Sequence, residues 1–318
     1  MELRVLIYVD DLLVCGNDEK LVTKFKDYLS RCFHMKDLGK LKYFLCIEVG
    51  RGEEGFVLSQ RKYALDLVAD AGLLGSKPVA TPMEQRHRLS LDSSMFLKDV
   101  EKYRRLVGRL IYLSITHPDI SYSIHILSQF MKSPRELQWE AALRVVRYLK
   151  GTADWSACSE TRRSLSAYVA FVGDSPVSWK TKKQRVVSHS SAEAEYRSMA
   201  QASREVKWLR RLLCDLGAPQ RQPSKMYCDS KSAIHIAANP VFHERTKHIE
   251  SDCHQVRDAI QDGLLETVHV RTTEQLADVL TKALGRVQFE ELLFKLGVRN
   301  FHLPNLRGSI GVDNDEVR

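Results

Sequence analysis

Ser190-Ser191-Ala192-Glu193-Ala194-Glu195-Tyr196 sets capping serines ahead of a helix and places two glutamates in its first turns. A helix advances about 100° per residue, so Glu193 and Glu195 stand about 200° apart and only one can point squarely into a site. More acidic residues follow on separate elements. Asp229 closes the short apolar run Lys225-Met226-Tyr227-Cys228, and Asp278 sits in Gln275-Leu276-Ala277-Asp278-Val279-Leu280-Thr281-Lys282. Carboxylates that converge from several elements usually hold metal ions. Mg²⁺ needs hard oxygen ligands, and two such ions about 4 Å apart can clamp the attacking and leaving oxygens of a phosphodiester. Nuclease chemistry is therefore the first expectation.

Composition agrees with a globular, nucleic-acid-directed protein. The 318 residues are 44% hydrophobic, enough for two compact domains. A formal charge of +8 suits a polyanionic partner, although charge alone speaks to attraction and solubility and not to chemistry. Seven cysteines are scattered singly with no CxxC pair, which reads as a reducing compartment. With no leader-like start and no apolar run long enough to span a bilayer, the expected location is intracellular, cytoplasmic or nuclear, with no membrane and no small-molecule cofactor.

The wording around the carboxylates carries more than their spacing. Ser190 to Tyr196, Tyr227-Cys228-Asp229-Ser230, His243-Glu244-Arg245-Thr246-Lys247-His248-Ile249 and Gln275 to Lys282, in that order, resemble the ribonuclease H domain of copia-type LTR-retrotransposon Pol polyproteins. Tyr8-Val9-Asp10-Asp11, between the β-prone runs Val5–Val9 and Leu12–Cys15, resembles the acidic hairpin near the end of the same polyprotein's reverse transcriptase. The resemblance implies an α/β (α+β) chain: the C-terminal part of a reverse-transcriptase palm over 1–86, a helical thumb or connection over 87–150, a ribonuclease H-like mixed sheet with flanking helices over 151–285, and a C-terminal helix and tail over 286–318. It implies Glu193, Asp229 and Asp278 as catalytic Mg²⁺ ligands, with Glu195 structural or on the surface. His248 is assigned to product release or proton handling, Asp10 and Asp11 to the polymerase metal site, and an RNA–DNA hybrid or duplex is the implied partner.

The sequence also departs from that pattern. The family's first strand ends in Ser-Asp-Ala-Asp-Trp, its first aspartate bridging both ions, whereas here Tyr148-Leu149-Lys150-Gly151-Thr152 runs straight into Ala153-Asp154-Trp155. The strand is missing and Thr152 stands at the aspartate's place. Asp154, two residues on, shares a strand face with it and is the substitute ligand to consider, at the cost of drawing Lys150 and Thr152 into a central strand. The chain opens just ahead of the Asp10-Asp11 hairpin, without the strand that carries the family's third polymerase aspartate, so DNA synthesis is not expected. Hydrolysis is expected to be impaired, and the rival readings are a catalytically dead nucleic-acid-binding module and an unselected retroelement fragment.

Three further expectations concern local features. His243, His248, Cys253 and His254 suggest zinc, but they lie along a helix-like stretch and not as close pairs on a turn, which makes zinc there the weaker reading. Arg104, Arg105, Arg109, Arg144 and Arg147 sit on amphipathic segments and read as solvated helix faces ahead of duplex contacts. Lys180, Lys182, Lys183 and Arg185 end a hairpin of Arg163–Val172 and Pro176–Lys183 and could meet phosphates, and 77–98, with Pro78 and Pro82, reads as a linker.

Overall fold

A computed structural model describes residues 2–52, 55–85, 87–91, 93–151, 165–184, 190–239 and 250–298. The chain divides into two compact units, the first holding 1–63 and the second 64–300. The second unit holds both the helical segment and the sheet-bearing region.

In the first unit, β1 (Leu3–Tyr8) and β2 (Asp11–Gly16) pair antiparallel from Leu3↔Gly16 to Tyr8↔Asp11. The turn is Val9-Asp10, with Val9 at φ 49. A β-branched residue in that region is a strained position. Asp18 caps α1 (Glu19–Cys32), accepting from the Lys20 and Leu21 amides at 2.9 and 3.2 Å. No residue of α1 is buried. β3 (Tyr43–Phe44), β4 (Ile47–Gly52) and β5 (Gly55–Ser59) form an antiparallel sheet, where the apolar runs 42–49 and 56–59 on either side of Gly50–Gly55 predict a two-stranded hairpin. The extra strand arises because Leu45 and Cys46 take positive φ and reverse the chain. α2 (Arg61–Asp70) follows, most of it already in the second unit, and Gly72 at φ 71 ends the turn after it as a glycine can.

The second unit, which takes in most of α2, continues with helices. α3 (Val100–Leu113), capped by Asp99, buries Tyr103, Leu106, Val107, Leu110 and Leu113, a stripe at helical spacing. It packs with α4 (Ser121–Ser128) and α5 (Glu136–Gly151), and the Tyr103 hydroxyl donates to Leu127 O at 2.8 Å. The stretch read as a linker is packed in part: Thr81, Met83 and Leu89 are buried. Of the five helical arginines, Arg104 pairs with Glu101, Arg109 with Asp70, Arg144 with Glu84 and Arg147 with Glu140; Arg104 and Arg105 are exposed, while Arg109, Arg144 and Arg147 are half-buried and so are not on a fully solvated face.

β6 (Leu165–Val172) and β7 (Ser175–Lys183) then pair antiparallel across Gly173-Asp174, with a register shift between Ala170 and Phe171. α6 (Ser191–Asp215) is the long helix of the unit, its first turn capped by Ser190, whose hydroxyl accepts from the Glu193 amide at 3.1 Å. β8 (Ser224–Cys228) and β9 (Leu265–His269) are parallel, and α7 (Lys231–Ala238) and α8 (Glu250–Gln261) lie on the connection that parallel pairing requires. Tyr196, Met199 and Ala200 of α6 form one core with Met226, Cys228, Val256 and Leu265. A second core joins α9 (Asp278–Thr281) and α10 (Arg286–Lys295) to Val169 and Phe171 of β6. Burying each such large side chain is worth about 1.5–3 kcal/mol.

The single mixed sheet expected here does not form among the described residues. β6–β7 and β8–β9 are separate two-stranded sheets. A mixed sheet needs one strand paired with both, and no described strand does so. α6, packed on β6 and on β8, joins the two instead. The stretch 274–283, whose sequence predicts one helix carrying Asp278, is instead a 3₁₀ turn at Thr272–Glu274 followed by the short α9, with Gln275 between them extended.

Candidate metal-binding site

Glu195, Cys228 and Asp229 are the group of potential metal ligands that the fold brings together among the described residues. One donor atom from each, two carboxylate oxygens and the Cys228 sulfur, lie within 4.8 Å of one another. Glu195 comes from the second turn of α6, and Cys228 and Asp229 from the C-terminal end of β8, where the strand stops and its inward–outward alternation ends. Asp278, the first residue of α9, is buried and close enough to raise the proton affinity of Glu195.

Three ties between elements set this geometry. Gln184, just past β7, donates to Ser166 Oγ at 2.8 Å and to Ala194 O at 3.0 Å, tying the hairpin to the residue before Glu195. Thr181 donates to Leu280 O at 3.0 Å, tying β7 to the helix of Asp278. Gln275 donates to Tyr227 O at 3.4 Å, tying the approach to α9 to the end of β8. Each such bond is worth about 1 kcal/mol net, but its placement matters more, since it fixes an element that carries a carboxylate.

Electrostatics mark the cluster as short of positive charge. Burial, then Asp229, pushes the Glu195 carboxyl up to about 7, with Lys282 opposing and Asp278 adding. Burial likewise raises Asp278, against the pull of Lys282, whose ammonium lies 2.7 Å from its carboxylate. Burial raises the Cys228 thiol to about 11, and the nearby Glu195 and Asp229 add to it. A divalent cation would offset these charges, and the carboxylates of Glu195, Asp229 and Asp278 are the hard oxygens that Mg²⁺ takes.

This geometry reverses the expected division between the two glutamates. Glu193 is buried, and its carboxylate is held by Arg197 at 2.7 Å, one turn along the same helix. It carries a structural ion pair, and Glu195, expected on the surface, faces the acidic residues. A signal for this was present: Glu followed by Arg at i+4 is a favourable helical pair, whereas the residue four beyond Glu195 is the apolar Met199. Cys228 was read only as one of the scattered cysteines, and nothing in its spacing announced a role.

The other sequence-derived candidates fall elsewhere. Asp10 and Asp11 are exposed at the hairpin bend of the first unit and do not belong to the group of three close donors. Thr152, Asp154, Arg185, His243 and His248 lie outside the described residues. Cys253 is buried in the α6–α8 core, where the Tyr196 hydroxyl donates to its carbonyl at 3.4 Å, and His254 is exposed on the same helix. Lys180 and Lys182 are exposed on β7, while Lys183 donates to Gln129 at 2.6 Å.

A sequence model of the family described as reverse transcriptase (RNA-dependent DNA polymerase) matches residues 1–85. Over 314 residues the chain is 44% identical to the Retrovirus-related Pol polyprotein from transposon RE2 of Arabidopsis thaliana, a match covering 92% of this chain and 22% of that protein. It is 34% identical over 316 residues to the Retrovirus-related Pol polyprotein from transposon TNT 1-94 of Nicotiana tabacum, covering 90% and 24% respectively. An uncharacterized mitochondrial protein of Arabidopsis thaliana is 37% identical over 224 residues, 64% of this chain and 93% of that one. The chain therefore spans between a fifth and a quarter of the Pol polyproteins it matches. No solved structure matches it.

Proposed function

Because the chain belongs to the Pol polyproteins of copia-type LTR retrotransposons, we propose that its acidic cluster is the metal site of a ribonuclease H-like domain acting on the RNA strand of an RNA–DNA hybrid. Residues 1–86 are, on this reading, the end of a reverse-transcriptase palm, with Asp10 and Asp11 at its acidic hairpin. The observation that carries the hydrolase reading is the approach of Glu195 and Asp229 from α6 and β8 within 4.8 Å, with Asp278 raising the charge density from a third element.

The residues divide the work by position. Asp229 and Glu195 supply paired oxygens, and Asp278 supplies a third that Lys282 neutralises until a cation arrives. Magnesium bound there supplies the Lewis acid that polarises a phosphodiester and activates water. Lys180 and Lys182, exposed on β7, are placed to meet backbone phosphates, and such contacts make binding strongly salt-dependent. Thr152 brings a hydroxyl where the resembled pattern carries a bridging carboxylate, so the chain is expected to bind hybrid with slight or no cleavage.

The test is divalent-ion binding by the purified chain, with Mn²⁺ as a spectroscopic stand-in for Mg²⁺. Binding is expected in the wild type and in Glu193→Gln, and is expected to be lost in Asp229→Asn and Glu195→Gln, with any cleavage of the RNA strand lost in the same two. Binding that survives both substitutions would refute the assignment.

A further inference from the structure

The donor set at this site is not the one that Mg²⁺ alone would select. Glu195 and Asp229 offer hard carboxylate oxygens, but the third donor within 4.8 Å is the sulfur of Cys228, a soft ligand that magnesium does not use. Cys228 is 3% exposed, and its position is fixed by the strand end and by the core behind it. The Ser230 amide donates to its sulfur at 3.4 Å, and a backbone N–H aimed at sulfur is the kind of support that stabilises a metal-bound thiolate.

From this juxtaposition we infer that Glu195, Cys228 and Asp229 form a thiophilic site, holding one zinc-class divalent ion in competition with magnesium. The inference rests on the metal-site reading above and adds a selectivity to it. Zinc takes Cys sulfur at about 2.3 Å and carboxylate oxygen at about 2.0–2.2 Å in tetrahedral array, which puts neighbouring donors about 3.5 Å apart. Three donors already within 4.8 Å need only a small closure to meet that spacing, and three protein ligands leave the fourth tetrahedral position to water, as in catalytic zinc sites. Binding forms one metal–sulfur bond and releases the thiol proton to solvent, with no change of oxidation state. A single tetrahedral ion drawn toward Cys228 occupies the oxygens that a magnesium pair would share. Zinc is therefore expected to displace magnesium and to inhibit any hydrolysis.

Two measurements on the full chain separate this inference from the reading beneath it. In the first, Mn²⁺ bound to the wild type is followed by its paramagnetic effect on water relaxation while Zn²⁺ or Mg²⁺ is added. Zn²⁺ is expected to displace Mn²⁺ at roughly a hundredfold lower concentration than Mg²⁺, and Cys228→Ser to shrink that ratio at least about tenfold. In the second, Co²⁺ is the probe and a near-ultraviolet sulfur-to-cobalt charge-transfer band is recorded. Exposed Cys15, Cys32 and Cys214 can contribute background, so the readout is the wild-type spectrum minus that of Cys228→Ser, with Cys228→Ala as a second variant and circular dichroism as the check of folding. Mn²⁺ that binds but yields equally to Zn²⁺ and Mg²⁺, with no difference band, overturns the thiophilic site and leaves the carboxylate site standing. A Cys228-dependent band in a chain that fails to bind Mn²⁺ supports the thiophilic site and refutes the magnesium reading.

Discussion

Replacing Glu195 by Gln should stabilise the metal-free protein, and by an amount that grows with pH. In the folded chain the carboxyl titrates near 7, against an ordinary 4.5, because burial and Asp229 both oppose its charge. At about 1.4 kcal/mol per pH unit the difference comes to about 3 kcal/mol. Below the ordinary value the carboxyl is protonated in both folded and unfolded states and contributes nothing. Between the two values the folded state keeps a proton that the unfolded state has lost, so stability falls as pH rises. Above about 7 both states are ionised and the fold carries the whole cost. Glutamine never ionises. Its advantage over glutamate should therefore be near zero in acid and approach about 3 kcal/mol in mild alkali.

The assay is chemical denaturation of wild type and Glu195→Gln at a series of pH values with a chelator present, each midpoint combined with a common slope. Trp139, Trp179 and Trp208 all belong to the second unit, as does Trp155 by sequence, so intrinsic fluorescence reports the unit that contains the site. Adding a divalent ion should reverse the order, since only the wild type gains from binding. A difference between the two proteins that is flat with pH, or that shrinks as pH rises, would refute the account of Glu195 as a half-buried carboxylate whose burial and carboxylate neighbours outweigh Lys282.

The remaining predictions concern buried pairs away from that residue. Glu193→Gln should destabilise by about 3 kcal/mol, because it leaves the Arg197 guanidinium, 15% exposed, without its carboxylate; the denaturation midpoint measures it. Tyr148→Phe should cost about 2 kcal/mol, because the Tyr148 hydroxyl donates to the buried Asp119 carboxylate at 2.7 Å. Burial works against that charge, but His117 and Tyr148 hold the Asp119 carboxyl below its ordinary value, so its contribution should disappear on acidification, and a cost that persists unchanged in acid would contradict this.

Much of the local structure was legible because it rests on local rules. The serine cap and apolar stripe of α6, the Gly173-Asp174 turn between β6 and β7, and the apolar face of α3 each follow from residues within one element. What was not legible depended on contacts between elements. α9 is short because Gln275 is extended and donates to the end of β8, a contact some 48 residues away in sequence. The expected mixed sheet depended on how β6 and β8 would pair with other strands, and that could not be read from either segment alone. The role of Cys228 came from the place where β8 stops, since a residue one position earlier would have faced the other way.

The contrast between Glu193 and Glu195 shows why the site can be located by its cost to the fold. Both are withdrawn from solvent on one helix, Glu193 fully and Glu195 in part, and a chain selected only for stability would pair both with cations. Glu193 has such a partner at i+4, and its charge is satisfied within the fold. Glu195 has none of that kind, and its nearest charged neighbours include two more carboxylates, so in metal-free protein at neutral pH it weakens the structure that holds it. Asp278 is intermediate: Lys282 pairs with it, yet that side chain is 48% exposed and can swing away, leaving a carboxylate for a cation. Perturbed carboxylates without a structural counter-charge are what functional sites require, because a group already satisfied by the fold has nothing left to offer a ligand. On this ground Glu195 is the α6 carboxylate assigned to the metal, and mutants that make the fold more stable there are the ones expected to bind the ion least.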